Sequence, residues 1–367
     1  MSKIGLLTLN GYHNYGNRLQ NFALESVLIS LGNEVTTIRV ERKAKKSNID
    51  FFKKIINIKF VFDSLNKRII RIINQNLIAT RTLQFENFSR KYLNESAYII
   101  NNESDFKRIS LDFDFIVVGS DQVWHPLNLH GTDYYFSPFK QKKFNIAYAP
   151  SFGIEKLPDD FKVQYKEWMS NFEHISVRED AGKKIVRDLT NMNVPVLVDP
   201  TLLLSADQWL KIAKSHTNKP SKKYLLTYFL GREKKANRKF IKEYAKNNFL
   251  DLVNLADLKD KKRFAANPGE FIDYFNDAEI IFTDSFHGSV FAIIFKRPFV
   301  VFKRGNMNSR IDTLISKFNL ENRHWDYVKE HKNFNEIDYS HVDEIINEER
   351  NKSFDYLKNA LGIKKEE

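Results

Sequence analysis

The sequence predicts an α/β protein of two doubly wound domains, and three observations predict it. The 367 residues are about twice the length of a usual domain. Apolar residues make up 42% of the chain and aromatics 14%, enough to fill complete cores and to exclude general disorder. Apolar runs of strand length alternate with segments of helical spacing in both halves, the pattern of parallel sheets covered by helices on both faces.

The elements follow in order. Lys3–Leu9 is an apolar run of buried-strand length, followed by an Asn- and Gly-rich loop over Asn10–Asn17. Asn17 is the expected helix N-cap, with Gln20 three residues on as in a capping box. Leu19, Phe22, Ala23, Val27, Leu28 and Leu31 then recur at helical spacing, and Gly32 supplies the stop. Val35–Val40 completes a βαβ unit. A basic stretch over 41–110 reads as a helical insert up to about Tyr92. Phe113–Val118 and Asn145–Ala149 are strands, and Leu157–Asn171 is a helix. A second domain is expected from residue 173 to 335, after a first domain of 1–172. Its strands are Ile175–Val177, Val194–Val198, Tyr224–Leu230, Asp251–Leu255, Glu279–Thr283 and Pro298–Phe302. Its helices are Asp180–Leu189, Asn237–Asn247, Pro268–Asn276 and the apolar Val290–Phe295. Residues 336–367 form a C-terminal helix expected to pack back onto the first domain.

Charge and composition exclude several classes. The chain has no Cys, which excludes a disulfide scaffold, a thiolate zinc site and a cysteine nucleophile. There is no run of 18 apolar residues, so no membrane-spanning helix is expected. The N-terminal apolar run is too short for a signal-peptide core, so a cytoplasmic location is expected. Of the net charge of +12, nine come from the stretch Arg39–Arg108, with 16 Lys and Arg against 7 Asp and Glu. It contains Phe51-Phe52-Lys53-Lys54-Ile55-Ile56 and Lys67-Arg68-Ile69-Ile70-Arg71-Ile72-Ile73. Two readings fit this composition: helices with a solvated basic face, or a peripheral contact with anionic lipid at the inner face of the membrane. No nucleic-acid-binding motif is present, so nucleic acid is not an expected partner.

In open parallel sheets, ligands bind beyond the carboxyl ends of the strands. The residues with chemistry cluster at four such ends, which the topology can turn toward one cleft. After the first strand come His13, Asn14, Gly16, Asn17 and Arg18, an anion cradle without the Lys-Ser/Thr ending of a Walker loop. After Phe113–Val118 come Ser120, Asp121 and Trp124, a general base or hydroxyl acceptor beside a stacking platform or a core indole. Arg178 ends an apolar strand, where a guanidinium needs an anion: a ligand, or Glu179 or Asp180. After Glu279–Thr283 come Asp284, Ser285, His287 and Gly288, at a helix start that favours an anion and carries a group able to hold a proton at neutral pH. Ser285 also fits an N-cap, and Gly288 a close backbone approach. Asp199-Pro200 is a strand-ending turn. Asp121, Asp199 and Asp284 lie on different strands without ligand spacing, so no metal is expected, and neither a nucleophile elbow nor an HExxH is present.

The ordered segments resemble the polysaccharide pyruvyl transferase family. They are Gly11-Tyr12-His13-Asn14-Tyr15-Gly16-Asn17-Arg18-Leu19-Gln20, Val118-Gly119-Ser120-Asp121-Gln122-Val123-Trp124, Ala147-Tyr148-Ala149-Pro150-Ser151-Phe152-Gly153, Ser176-Val177-Arg178-Glu179, Val198-Asp199-Pro200-Thr201 and Asp284-Ser285-Phe286-His287-Gly288. Pro150 departs from the family's usual Ala-Ala-Ser-Phe-Gly. The resemblance implies a GT-B-like fold, two Rossmann-like domains facing a cleft with a C-terminal helix crossing back. It also implies transfer of a pyruvyl group from phosphoenolpyruvate to a sugar or a lipid-linked oligosaccharide acceptor, giving a ketal, with no cofactor beyond the donor substrate. Arg178 and His287 match the family's phosphoenolpyruvate-site positions, and Asp121 is a further catalytic candidate. Asn14, Gly16, Asn17, Arg18, Ser120, Trp124, Ser285 and Gly288 are the expected substrate-binding residues. Competing readings are a nucleotide-sugar-dependent glycosyltransferase of the same architecture, a carbohydrate-binding protein without activity, and a metal-dependent hydrolase.

Overall fold

A computed structural model describes residues 1–40, 73–126, 133–136, 141–231, 233–304 and 309–364. Both sheets are parallel. The first has six strands: β1 (Lys3–Leu7), β2 (Glu34–Val40), β3 (Glu95–Ile100), β4 (Phe115–Val118), β5 (Asn145–Ala147) and β6 (His174–Ile175), in the order β3-β2-β1-β4-β5-β6. The second has β7 (Tyr224–Tyr228), β8 (Asp251–Leu255), β9 (Ile280–Thr283) and β10 (Phe299–Val301), in the order β10-β9-β7-β8. All residues of β7, β9 and β10 are buried, as expected for parallel strands covered on both faces. The protein is an α/β fold of two Rossmann-like lobes.

The lobes do not have separate interiors. One apolar cluster runs without a break from Ile4, Tyr15 and Leu19 on the first lobe to Tyr228, Phe271 and Phe291 on the second. Separate clusters cover the outer face of each sheet. Tyr15 is the pivot. Its ring stacks on Phe271 at 4.4 Å, and its hydroxyl donates to the Ala266 carbonyl at 2.7 Å. The Arg81 guanidinium lies over Tyr15 at 4.4 Å and donates to its hydroxyl at 3.0 Å, and to the carbonyls of His13 and Phe264. The C-terminal helix, Val342–Ala360, crosses back to the first lobe: Tyr356 donates to the Ala147 carbonyl in β5, and Arg350 to those of Leu202 and Leu204.

Several expectations are corrected. The domain boundary at 172 falls inside the first sheet, because β6 pairs with β5 and Val177 bridges Val196. Ser176-Val177-Arg178 is therefore a strand end of the first lobe, and Val194–Val198 forms only that bridge. Alternation of strands and helices says nothing about which sheet edge a short strand joins. The stretch 41–110 is not all insert. Glu95–Ile100 is a strand paired with β2, followed by the Glu103–Ser110 helix. The polar start of Glu95-Ser96-Ala97 hides that strand. The Gln75–Tyr92 helix is as expected, while residues 41–72, with most of the basic-aromatic residues, lie outside the described residues. Asn14, not Asn17, caps the first helix, Tyr15–Ser30; its side chain accepts from the Asn17 N–H, and Gln20 donates to the Asn17 carbonyl. Among the described residues no helix is long and apolar enough to cross a membrane.

Replacing Tyr15 by Phe removes only the hydroxyl at the lobe seam, leaving a buried carbonyl and part of a buried guanidinium without their partner. The expected cost is about 1–3 kcal/mol, read as a lowered urea midpoint with an unchanged secondary-structure spectrum.

Candidate functional site

The site is built from strand ends of both lobes. β4 ends in a turn where Asp121 takes a left-handed backbone, φ 65°, a conformation Asp tolerates better than most residues. There its Oδ1 accepts from the Gln122 N–H at 2.9 Å, and its carbonyl accepts from the Ser151 N–H at 2.8 Å. The Pro150 loop runs alongside it: Asp121 bridges Pro150, and the Pro150 carbonyl accepts from the Arg178 N–H. Glu179, fully buried, closes this loop by accepting from the Ser151 hydroxyl and the Phe152 and Gly153 N–H groups.

Arg178 points from this frame onto two carboxylates. Its Nη1 lies 2.6 Å from Asp199 Oδ2 and 3.3 Å from Ser120 Oγ, and its Nη2 lies 3.3 Å from Asp121 Oδ1. Neither neighbouring acid, Glu179 nor Asp180, is the partner. The turn after residue 198 thus holds the hub of the site. Asp199 Oδ1 accepts from the Thr201 N–H and hydroxyl, while Oδ2 accepts from Arg178 and from the Ser120 hydroxyl at 3.0 Å. Burial pushes the Asp199 carboxyl up, but the neighbouring His287 and Arg178 charges and the Thr201 hydrogen bond prevail and hold it well below the usual carboxylate range. Asp121 is shifted the same way: burial opposes, while Arg178, His287 and Arg310 prevail.

The second lobe supplies two groups. His287 lies in the first turn of the Phe286–Ile294 helix, which Ser285 caps by accepting from the Gly288 N–H. Its Nε2 faces Asp199 Oδ2 at 3.6 Å, an ion-pair distance, and has no hydrogen-bond partner among the described residues. Its Nδ1 edge lies against Gly16, where a Cβ would sit 2.1 Å from Nδ1, so only Gly admits the ring. Arg310, on the Ser309–Lys317 helix, reaches Asp121 Oδ1 at 3.7 Å. Burial, then the like charge of Arg178, pushes Arg310 down to about 10. The Phe286 ring lies under both guanidinium groups, 4.5 Å from that of Arg178 and 6.0 Å from that of Arg310.

The structure therefore brings together Ser120, Asp121, Arg178 and His287, with Gly16 as the surface the imidazole rests on. Other expected binding residues have structural work. Trp124 is fully buried, stacks on Phe136 at 4.9 Å and donates its indole N–H to the Tyr135 carbonyl, so it is a core residue and not a platform. Arg18 is fully buried and pairs with Glu95 at 2.5 Å, under the ring of Tyr12. Asn14 and Ser285 are caps, and Asn17 is the partner of the first. Gly288 makes room for Thr283, whose Oγ1 a Cβ would meet at 2.3 Å, rather than for a ligand. Asp284 accepts from the Leu230 and Gly231 N–H groups, which takes it away from Asp121 and Asp199. Asp199, Arg310 and Glu179 were missed as site residues. The signal for Asp199 was present, an acid ending an apolar run as at Asp121 and Asp284. Arg310 follows no strand and leaves no such signal.

The sequence profile described as polysaccharide pyruvyl transferase matches residues 14–306. The chain belongs to the polysaccharide pyruvyl transferase family. Asp121, Arg178, Asp199 and His287 fall inside the matched segment, and Arg310 falls just beyond it. No curated protein matches the sequence. Among solved structures, S. aureus MnaA bound to UDP aligns with 13% identity and a TM-score of 0.52, covering 100% of this chain and 99% of that one. The UDP-GlcNAc 2-epimerase of Methanocaldococcus jannaschii, with UDP-GlcNAc and UDP, aligns with 14% identity and a TM-score of 0.49, covering 99% of each chain. The MnaA likeness shows the GT-B fold of two Rossmann-like lobes.

Replacing Asp199 by Asn leaves Arg178 with one carboxylate in a buried site, an expected loss of about 3–5 kcal/mol at neutral pH. The carboxyl's depressed folded value means that its contribution is complete above the unfolded value of about 4 and fades as the pH falls toward the folded one. Denaturation of both proteins from pH 7 to pH 3 is therefore expected to show the gap narrowing in acid.

Proposed function

We propose that this pyruvyl transferase moves the pyruvyl group of phosphoenolpyruvate onto a sugar of a cell-surface polysaccharide, or of its lipid-linked precursor, and closes a cyclic ketal. The observation that carries the proposal is the meeting of His287 and Arg310 from one lobe with the Arg178–Asp121–Asp199 frame of the other. His287 Nε2 delivers a proton to the methylene carbon of the donor, which makes C2 electrophilic. A sugar hydroxyl adds to C2 and gives up its proton, and phosphate leaves with the C–O bond electrons. A second hydroxyl then adds to C2 and loses its proton, completing the ketal.

The roles follow from charge and reach. The Arg178 guanidinium is engaged by two carboxylates, so it orients Asp121 and Asp199 instead of gripping the donor directly. Arg310, held at 3.7 Å from its nearest carboxylate oxygen, is the cation with donors to offer an incoming phosphate or carboxylate. Asp199 faces His287 and stabilises the charge that its imidazole carries with the proton. Asp121 receives the acceptor hydroxyl. The peripheral membrane contact expected from the basic stretch belongs to the same proposal, and is read by salt-sensitive flotation with anionic liposomes.

The test is phosphate release from phosphoenolpyruvate over a panel of sugars and lipid-linked glycans, with mass spectrometry of the products. The expected product has gained pyruvate less one water. Absence of phosphate release across the panel, with UDP released from UDP-sugars instead, overturns the reading. In the same assay His287→Ala is expected to lower kcat by roughly 10²–10⁴-fold. Gly16→Ala, which displaces the imidazole, is expected to behave like it. Arg310→Met is expected to act mainly by raising KM for phosphoenolpyruvate.

A further inference from the structure

The Lys235–Asn247 helix, which leads from β7 to β8, carries a basic stripe that the site does not use. Lys235, Lys239, Lys242 and Lys246 are spaced so that all four share one face along the whole helix. All four are exposed, while Ile241 and Ala245 are buried on another face. Lys242 borders the same surface depression as Lys259, Lys261 and Lys262, which follow β8 and are exposed as well. Over residues 233–263 the chain has ten Lys and Arg against five Asp and Glu. Glu233 pairs with Arg238 at 2.8 Å, Asp260 with Arg263 at 2.9 Å, and Asp257 accepts from the Lys259 N–H at 3.0 Å. Glu243 reaches only Lys239, at 3.8 Å, and Asp251 is exposed. Lys235, Lys242, Lys246, Lys261 and Lys262 have no acid partner among the described residues, so the positive field of this face is left standing. The turn after the helix presents Phe249, 91% exposed, on a left-handed backbone (φ 56°) that its N–H fixes by donating to the Lys246 carbonyl at 3.2 Å. A bare aromatic ring is thus held in water at the end of a lysine row, and nothing in the fold offsets its exposure.

We propose that this face of the second lobe rests on an anionic lipid bilayer, with the lysine stripe over the headgroups and Phe249 in the interface. A row of cations beside an exposed aromatic ring is the surface that such an interface attracts, by charge and by apolar burial together. The stripe contains no Arg, whose planar fork suits phosphates held in fixed positions. Compact, mobile ammonium groups suit a fluid layer of headgroups, which favours a bilayer over a nucleic acid. β8 is an edge strand of its sheet, so this side of the lobe is open to a flat surface. The stripe begins at Lys235, shortly after the carboxyl end of β7, so the cleft side of the lobe also meets that surface. The purpose of the contact rests on the pyruvyl-transfer reading above: it brings the cleft to the level at which a lipid-linked acceptor holds its sugar. The contact itself does not depend on that reading, and it is distinct from one made by the basic stretch of the first lobe.

The test is flotation of the full chain with vesicles of phosphatidylcholine, with and without phosphatidylglycerol. Two variants are compared with the parent: Lys235→Gln/Lys242→Gln/Lys246→Gln, at exposed positions, and Phe249→Asn, a residue that accepts the left-handed turn. Binding is expected only to the anionic vesicles and to fall as salt is raised. The triple variant is expected to bind tenfold or more weakly, and Phe249→Asn to lose the part of the binding that survives high salt. Both are expected to keep the parent's circular dichroism and its phosphate release with a water-soluble acceptor. Parent-like flotation of the triple variant overturns the inference, because it leaves the contact to the first lobe. Equal binding to vesicles without phosphatidylglycerol overturns it too, as does retention of a DNA oligonucleotide in place of vesicles. Flotation that depends on the stripe, without phosphate release from phosphoenolpyruvate, overturns the reaction and leaves this surface standing.

Discussion

The rest of the site depends on one buried carboxylate, that of Asp199. A lone ionised carboxylate without water costs several kcal/mol, so its environment must supply compensation from fixed directions. Here the first lobe supplies the hydrogen bonds, from Arg178 at 2.6 Å, the Ser120 and Thr201 hydroxyls and the Thr201 N–H, and the His287 imidazole of the second lobe adds its charge. Because those partners fill its hydrogen-bonding capacity, the carboxylate faces His287 at 3.6 Å without binding it rigidly. The imidazole therefore keeps a nitrogen for something else.

That arrangement requires the lobes to hold a fixed relation, since Asp199 and His287 belong to different sheets. Inter-domain contacts of modest size permit relative motion by default, whereas a large apolar interface suppresses it. The apolar cluster shared between the sheets supplies the latter. Its polar contacts at Tyr15 and Arg81 add direction, because Arg81 ties the loop before the first helix, at His13, to the second lobe at Phe264. Gly16 sits one residue after Tyr15. The same helical turn thus both fixes the lobes and presents the surface against which His287 rests.

Much of this was legible in the sequence, and the limits have physical causes. Buried parallel strands announce themselves as apolar runs, so β1, β4, β7, β9 and β10 were readable, as were the residues at their ends. Arg178 and His287 were found by that rule, and they do share a carboxylate. What the rule does not give is partnership. Arg18 and Arg178 look alike as basic residues at chain turns, yet one is neutralised by Glu95, a residue 77 positions away, within a single lobe. Trp124 looked equally suited to stacking a sugar or filling a core, and only the positions of Phe136 and Tyr135 decide. Two-residue β6 carries too little pattern to reveal which sheet it joins. Arg310 reaches the site from a helix whose surroundings in sequence carry no functional pattern at all.

The turn from Thr283 to Gly288 fixes where the second lobe presents its imidazole. Thr283 Oγ1 donates to the Tyr228 carbonyl at 2.6 Å and accepts from the Ser285 N–H at 3.0 Å. Gly288 packs directly over it, where any side chain would clash. Asp284 leaves this turn toward the Leu230–Gly231 loop, and His287 leaves it toward Asp199. A turn pinned from both sides has little freedom to move when a ligand arrives. The turn therefore sets the position of the imidazole before anything binds. Preorganisation of this kind spares the reacting groups a rearrangement at the moment of reaction.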